Sequence, residues 1–286
     1  MTIITTTFIP CGAKLPFLAM IAGAVFGGAW WVAPSAYFIG MVAVVISGII
    51  LKKTKLFAGE AATFVMELPA YHMPTPKNVL FSLWERGWSF IKKAGTVILL
   101  SSVIIWFTTY FGFVDGSFRM LSEEEVSNSI LAYIGKGIAW LFAPLGFGTW
   151  QKAIASITGF IAKENIVATM GIVYGGVEGI ANSFIYASGL SFLVFNLLCA
   201  PCFAAMGAIR REMNSFKWTA FAIIYQCVFA YGMALVAYQA TLLLTGAFTA
   251  TVPNIAGLVG AVAVIAILAY FLARPAKDKK GNSVKV

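Results

Sequence analysis

Cys199-Ala200-Pro201-Cys202 interrupts an apolar run, residues 183–208, that is otherwise long enough to cross a bilayer. Proline has no N–H, and its ring clashes with the carbonyl four residues back, here that of Leu197. The helix is therefore expected to break beside both cysteines. Hydrocarbon offers no water to free backbone groups, so such a break is tolerated only where protein or a wet cavity covers it. A second stretch of the same kind, Pro10-Cys11-Gly12-Ala13-Lys14-Leu15-Pro16, stands near the amino terminus. Thiols beside freed carbonyls suggest a path for something that sulfur can hold, and a transition-metal ion is the first candidate.

Composition agrees with a membrane setting. Of 286 residues, 60% are hydrophobic and 11% charged, and the mean hydropathy is +0.87. A soluble domain is far less apolar. The net charge of +9 comes from basic residues in short clusters between apolar runs. That is the footprint of cytoplasmic loops, not of a basic face that binds nucleic acid, so nucleic acid is excluded as a partner. The four cysteines, Cys11, Cys199, Cys202 and Cys227, lie in or beside apolar segments, which argues against a secreted disulfide framework. The start lacks the basic region and cleavage site of a signal peptide. No phosphate-binding Gly-x-x-x-x-Gly-Lys-Ser/Thr occurs, so this chain cannot build that nucleotide site, and serine hydrolase and dinucleotide patterns are absent.

The fold class expected is all-α, a polytopic membrane helix bundle of about eight crossings. They fall near 15–32, 34–51, 95–111, 126–143, 152–173, 183–208, 217–244 and 253–273. Lys52, Lys53 and Lys55, with Lys77, Arg86, Lys92 and Lys93, mark the long loop after the second crossing as cytoplasmic. Arg210, Arg211 and Lys217 mark another cytoplasmic turn, and Lys277, Lys279, Lys280 and Lys285 mark a basic tail over 274–286. Both termini then lie inside. Residues 77–93 place Leu80, Leu83, Trp84, Trp88 and Ile91 at helical spacing, which predicts an amphipathic helix in the interface before the third crossing. Residues 1–9 are apolar but too short to span, and Pro10 stops them, so they read as the tail of a longer helix. No repeat or linker divides the chain, and 1–286 reads as a single transmembrane domain.

Cys199 and Cys202 would share a face if locally helical. One Cys-x-x-Cys pair is a weak signal for a metal or for redox chemistry, and cysteine often packs as a small hydrophobe. Packing is the favoured reading of Cys227, which lies in a plain apolar helix. For Cys11, bracketed by prolines and followed by Lys14, a helix start with a snorkelling lysine and a pathway role stand even. Lys163-Glu164-Asn165 lies near the middle of the fifth apolar run, where each lipid-exposed charge costs about 2.5–3.5 kcal/mol. These charges should face partners or a hydrated cavity, as a structural ion pair or as part of a path. Glu67 and the sole histidine, His72, lie in the cytoplasmic loop and are lesser candidates.

The chain resembles the bacterial ferrous iron transport protein B family. Phe-Ile-Pro-Cys-Gly-Ala-Lys-Leu-Pro at 8–16, Phe-Val-Met-Glu-Leu-Pro-Ala-Tyr at 64–71 and Trp-Glu-Arg-Gly-Trp-Ser-Phe-Ile-Lys-Lys-Ala-Gly-Thr at 84–96 carry the likeness. It continues in Phe-Ile-Ala-Lys-Glu-Asn-Ile-Val-Ala-Thr-Met-Gly at 160–171 and in Ala-Pro-Cys-Phe-Ala-Ala with Arg-Arg-Glu-Met between 200 and 213. The resemblance implies a membrane domain with two gate repeats that admits ferrous iron to the cytoplasm, coupled to an amino-terminal GTP-binding domain. It implies that residues 1–14 are the remainder of a first gate and 84–245 a second. It places Cys11 and Cys202 at gate cysteines and Lys163-Glu164 at the family's Lys-Glu.

The expected ligands of the travelling ion are therefore Cys11, Cys202, Cys199 and Glu164, with no permanently bound cofactor and Fe2+ as cargo. Cys199 departs from the family, which more often has an aromatic residue there. The GTP-binding domain and early first gate are not in this sequence, so the chain looks like a fragment or one half of a split system. The resemblance implies no enzyme activity for it, the family's GTPase residing in that domain. Expected partners are ferrous iron, the lipid bilayer of a bacterial inner membrane and a GTP-binding domain on a separate or missing chain. A homo-oligomer is left open. The rival readings are a non-transporting structural half, a nucleoside-type gate carrier and a membrane thiol oxidoreductase in which Cys199 and Cys202 would form a disulfide reversibly.

Overall fold

A computed structural model of the chain describes residues 1–54, 73, 75–114, 117–246, 252–273, 276–277 and 283–284. Glu67, His72, Lys55 and most of the basic tail, including Lys279, Lys280 and Lys285, lie outside the described residues. The helices are α1 (Thr2–Thr6), α2 (Leu15–Ala24), α3 (Val32–Lys53), α4 (Pro76–Tyr110), α5 (Ile130–Phe142), α6 (Trp150–Ile161) and α7 (Asn165–Tyr174). They continue with α8 (Val177–Ser183), α9 (Tyr186–Leu198), α10 (Phe203–Met213), α11 (Phe216–Leu244) and α12 (Val252–Ala273). Short 3-10 turns occur at Gly12–Lys14, Glu123–Asn128 and Ala143–Leu145. The all-α expectation holds apart from two small antiparallel hairpins. One pairs Phe111–Val114 with Ser117–Met120, and the other pairs Ala276–Lys277 with Ser283–Val284.

Among the described residues four segments are long and apolar enough to cross a membrane: Val32–Lys53, Tyr186–Met213, Phe216–Leu244 and Asn254–Ala273. The count rises to five if the pair Ile130–Leu145 and Trp150–Ile161, bent by 97°, is one span. That is fewer than the eight that hydropathy suggests. Runs expected to cross as single helices are instead half-helices. Helix α2 has 10 residues and α7 also 10, each about 15 Å long against the roughly 30 Å of hydrocarbon. The expected crossing 152–173 breaks at Ala162–Glu164, where Ala162 is extended. Hydropathy sums apolarity along the chain and carries no information about direction.

Helix α4 also departs from expectation. It runs 35 residues without a break, about 52 Å, so the amphipathic stretch and the third crossing are one helix. Its apolar stripe, Leu80, Leu83, Trp84, Trp88 and Ile91, is exposed on the protein, with Trp84 and Trp88 stacked at 6.1 Å.

Helix α9 is the axis of the bundle. Ala187, Ser188, Gly189 and every residue from Ser191 to Leu198 are buried, as expected for a helix that is apolar all round. Phe192 and Phe195 anchor it against Phe147, Phe142, Phe17 and Phe184, with ring centroids 5.3–5.9 Å apart. Each such pair adds about 0.5–1.5 kcal/mol beyond burial.

At one end Ile4, Leu51 and Ala222 pack with Met213 and Phe221, and Lys53 Nζ donates to the Leu272 carbonyl at 2.6 Å. The clusters Lys52-Lys53 and Arg210, Arg211, Lys217 therefore share that end. Elsewhere, the hairpin at Phe111–Met120 is tied down by Arg119, which donates to Glu125 at 2.7 Å.

Gly146 closes the turn after α5 with φ +79°, and a Cβ there would meet the Tyr238 ring on α11. Gly146→Ala combines a left-handed backbone cost of about 1–2 kcal/mol with overpacking of about 1–3 kcal/mol. The expected result is a clearly lower thermal unfolding midpoint in detergent, read by intrinsic tryptophan fluorescence.

Candidate functional site

Three helix breaks meet beside the carboxy-terminal end of α9. The first lies between α1 and α2, where Cys11 is extended and Gly12–Lys14 form a 3-10 turn. The second is Ala162–Glu164 between α6 and α7. The third is Cys199–Cys202 between α9 and α10, with Cys199 and Cys202 both extended. A straight helix would bond the Leu197 carbonyl to the N–H of residue 201, which proline lacks. The chain also leaves the helix at Cys199, so the Asn196 carbonyl loses its usual partner as well.

Two lysines fill these vacancies. Lys14 Nζ donates to the Leu197 carbonyl at 2.6 Å and to the Thr7 carbonyl at 3.4 Å. Lys163 Nζ donates to the Asn196 carbonyl at 3.3 Å and contacts the Cys199 sulfur at 3.0 Å. Both lysines are only 2% exposed, and neither has a carboxylate within ion-pair distance among the described residues. Their charge is met by backbone oxygen and sulfur instead. The end of a helix carries about half a negative charge, and a partly buried cation there contributes up to about 2 kcal/mol. Lys152 repeats the device: its Nζ donates to the Ser183 carbonyl at the end of α8 at 2.7 Å and lies 4.2 Å from the Phe184 ring centre.

The candidate ligands are placed unequally. Cys199 is buried, Cys202 half-buried and Cys11 exposed. All three lie within electrostatic range of Lys14, together with Lys163. Glu164 is half-buried at the start of α7 with no side-chain cap, and among the described residues no ion pair includes it. Among the described residues no three His, Cys, Asp or Glu side chains gather closely enough to hold a metal ion. Cys227 is nearer the junction than its plain apolar surroundings suggest, since it lies beside the Ala200 backbone.

Several contributors escape a sequence reading. Asn196, 0% exposed, donates through Nδ2 to Phe192 O at 3.0 Å and to Ser156 Oγ at 3.4 Å, while its Oδ1 has no partner. Thr169 bonds Thr158 at 3.2 Å, and a cleft of about 200 Å³ between α4 and α7 is lined by Thr109, Asn165 and Thr169 among apolar neighbours. The only signal for these residues is a polar side chain inside an apolar run. Lys14 and Lys163 were legible as unusual charges, but not as two caps on one helix end.

Gln226 holds the first break in place. Its Nε2 donates to the Ile4 carbonyl at 2.9 Å and to Thr7 Oγ1 at 2.7 Å. Gln226→Leu removes both bonds and leaves the Thr7 hydroxyl to Ile4 carbonyl contact at 3.0 Å as the remaining tie, at a cost of about 0.5–1.5 kcal/mol per bond lost. Hydrogen exchange by mass spectrometry should show faster exchange over residues 2–9, with α9 unchanged.

Residues 33–86 match the family model described as Ferrous iron transport protein B C terminus, and residues 91–216 match the Gate model described as Nucleoside recognition. The chain is 37% identical to an Fe(2+) transporter FeoB of Staphylococcus aureus, over 83% of the chain and 36% of the relative. It is 34% identical to an Fe(2+) transporter FeoB of Methanocaldococcus jannaschii, over 82% and 36%. It is 30% identical to an Fe(2+) transport protein A/Fe(2+) transporter FeoB fusion protein of Porphyromonas gingivalis, over 83% and 34%. The chain thus spans about a third of the length of the curated relatives it matches. No solved structure matches it. With its gate motifs, apolar helices and these relatives taken together, the chain belongs to the ferrous iron transport protein B family.

Proposed function

We propose that this chain is the membrane part of a ferrous-iron uptake system, moving Fe2+ into the cytoplasm across a bacterial inner membrane. Its relatives carry the name Fe(2+) transporter. The observation that carries the reading is the meeting of cysteine sulfur with freed backbone oxygen at the end of α9. Ferrous iron accepts both kinds of donor. Cys11 and Cys202, the more accessible thiols, offer transient contacts on the way in or out. Cys199, Glu164 and the carbonyls of Asn196 and Leu197 supply the interior. Ligation of this kind is weak enough for release, as conduction requires.

The chain itself catalyses no reaction in this reading, and it binds no permanent cofactor. GTP binding belongs to a domain outside this sequence. The basic clusters that share one end of the bundle support a cytoplasmic position for that end and for both termini. The rival reading is a nucleoside-type carrier, favoured by the Gate match over 91–216. Such a carrier needs several convergent hydrogen-bonding groups for a ribose, whereas the lysines of the junction are already committed to backbone carbonyls and the Cys199 sulfur.

The test is iron uptake by cells expressing the complete system with Cys11→Ser and Cys202→Ser. Both variants should take up Fe2+ severalfold more slowly at equal membrane abundance, and an excess of nucleoside should leave uptake unchanged. Full uptake by both serine variants removes the thiols from the path.

A further inference from the structure

Lys14 and Lys163 bring two positive charges to backbone oxygens and a sulfur that could coordinate a metal ion. The groups they touch are the carbonyls of Thr7, Asn196 and Leu197 and the sulfur of Cys199, all at 2.6–3.4 Å. This is a pair of donor sets for a cation at the end of α9, the Thr7 and Leu197 carbonyls around Lys14 Nζ and the Asn196 carbonyl with the Cys199 sulfur around Lys163 Nζ. Nothing anionic from the described residues balances it within ion-pair distance. Hard and borderline divalent ions take such oxygens, and the thiol biases the set toward iron, zinc or copper over magnesium.

We infer that the junction is a cation site whose resting occupants are the chain's own ammonium groups, and that a metal ion passes by displacing Lys14 from Leu197 and Lys163 from Cys199. The inference deepens the transport reading and rests on it for the identity of the cargo. Each lysine stands at a separate helix break, Lys14 between α1 and α2 and Lys163 between α6 and α7. Each can therefore withdraw when its own half-helix shifts, without dismantling α9. The four-carbon stem of lysine makes such a withdrawal a change of rotamers. With an ammonium in place the site is satisfied and electropositive, which keeps it closed to other cations. With the ammonium displaced, the same carbonyls face the ion. The lysines thus serve as tethered plugs as well as helix caps.

The experiment compares the purified full chain in detergent, under anaerobic conditions, with Lys14→Met and Lys163→Met. Methionine keeps much of the apolar stem and removes the charge. Thermal unfolding is recorded in metal-free buffer and with Fe2+, Mn2+ or Zn2+. Each variant should unfold several degrees below the unaltered chain without metal. A divalent ion at about a hundred times its dissociation constant should restore about 5–10 °C in the variants and raise the unaltered chain far less. Adding Cys199→Ser to Lys163→Met should cut the rescue by Zn2+ more than that by Mn2+.

Failure of every ion to stabilise either methionine variant overturns the inference and leaves the lysines as caps only. Equal stabilisation of the unaltered chain overturns it too, because the site would then be open with its lysines in place. Rescue by Mn2+ and Zn2+ but not by Fe2+ supports the cation site while counting against iron as cargo. If the methionine variants cannot be purified, Lys14→Gln replaces them. Its side chain is one atom shorter and carries no charge, so it too takes the ammonium off the Leu197 carbonyl, and the same outcomes apply.

Discussion

The structure depends on ammonium groups seated on the carboxy-terminal carbonyls of helices that stop inside the bundle. A helix that ends in water has its last carbonyls solvated. A helix that ends within a membrane protein must find donors in the chain itself. Lys14 and Lys163 supply them to α9, and Lys152 to α8. The arrangement meets two demands with one contact. The ammonium is costly to bury alone, as is the free carbonyl, and the partial negative charge of the helix end lies where the cation sits.

That constraint explains why α9 can be broken at its most buried point. Its flanks are held by Phe192 and Phe195 within the aromatic cluster, and its end is held by side chains from two other breaks. The half-helices are therefore interdependent. Helix α1 is pinned through Gln226 and Lys14, and α6 with α7 through Lys163 and the Asn196–Ser156 contact. A junction built this way has strong local order and yet is made of separable pieces. The cysteines are graded across it, from exposed Cys11 through half-buried Cys202 to buried Cys199.

The site was partly legible in the chain. Pro201 announces a break, and the carbonyl it displaces, Leu197, is the one that accepts from Lys14. Lys163 in mid-run announces a charge that must be met, and it is met by Asn196 and Cys199. What could not be read is that both lysines converge on one helix end, because residues 14 and 163 stand 149 positions apart in the sequence. Cys227 shows the same limit. Its sequence neighbours are apolar, and its contact with the Ala200 backbone is set by how α11 lies along α9.

Apolar content, charge clusters and proline placement follow from side-chain chemistry over short windows, and these determined by themselves a helical membrane protein with interrupted helices and basic loops. The number of full crossings, the continuity of α4 from Pro76 to Tyr110 and the bend of 97° between α5 and α6 were decided only by tertiary structure. Hydropathy measures transfer from water to oil and is blind to the direction in which a segment runs. Direction is set by which buried carbonyls find donors, and those donors arrive from distant parts of the chain.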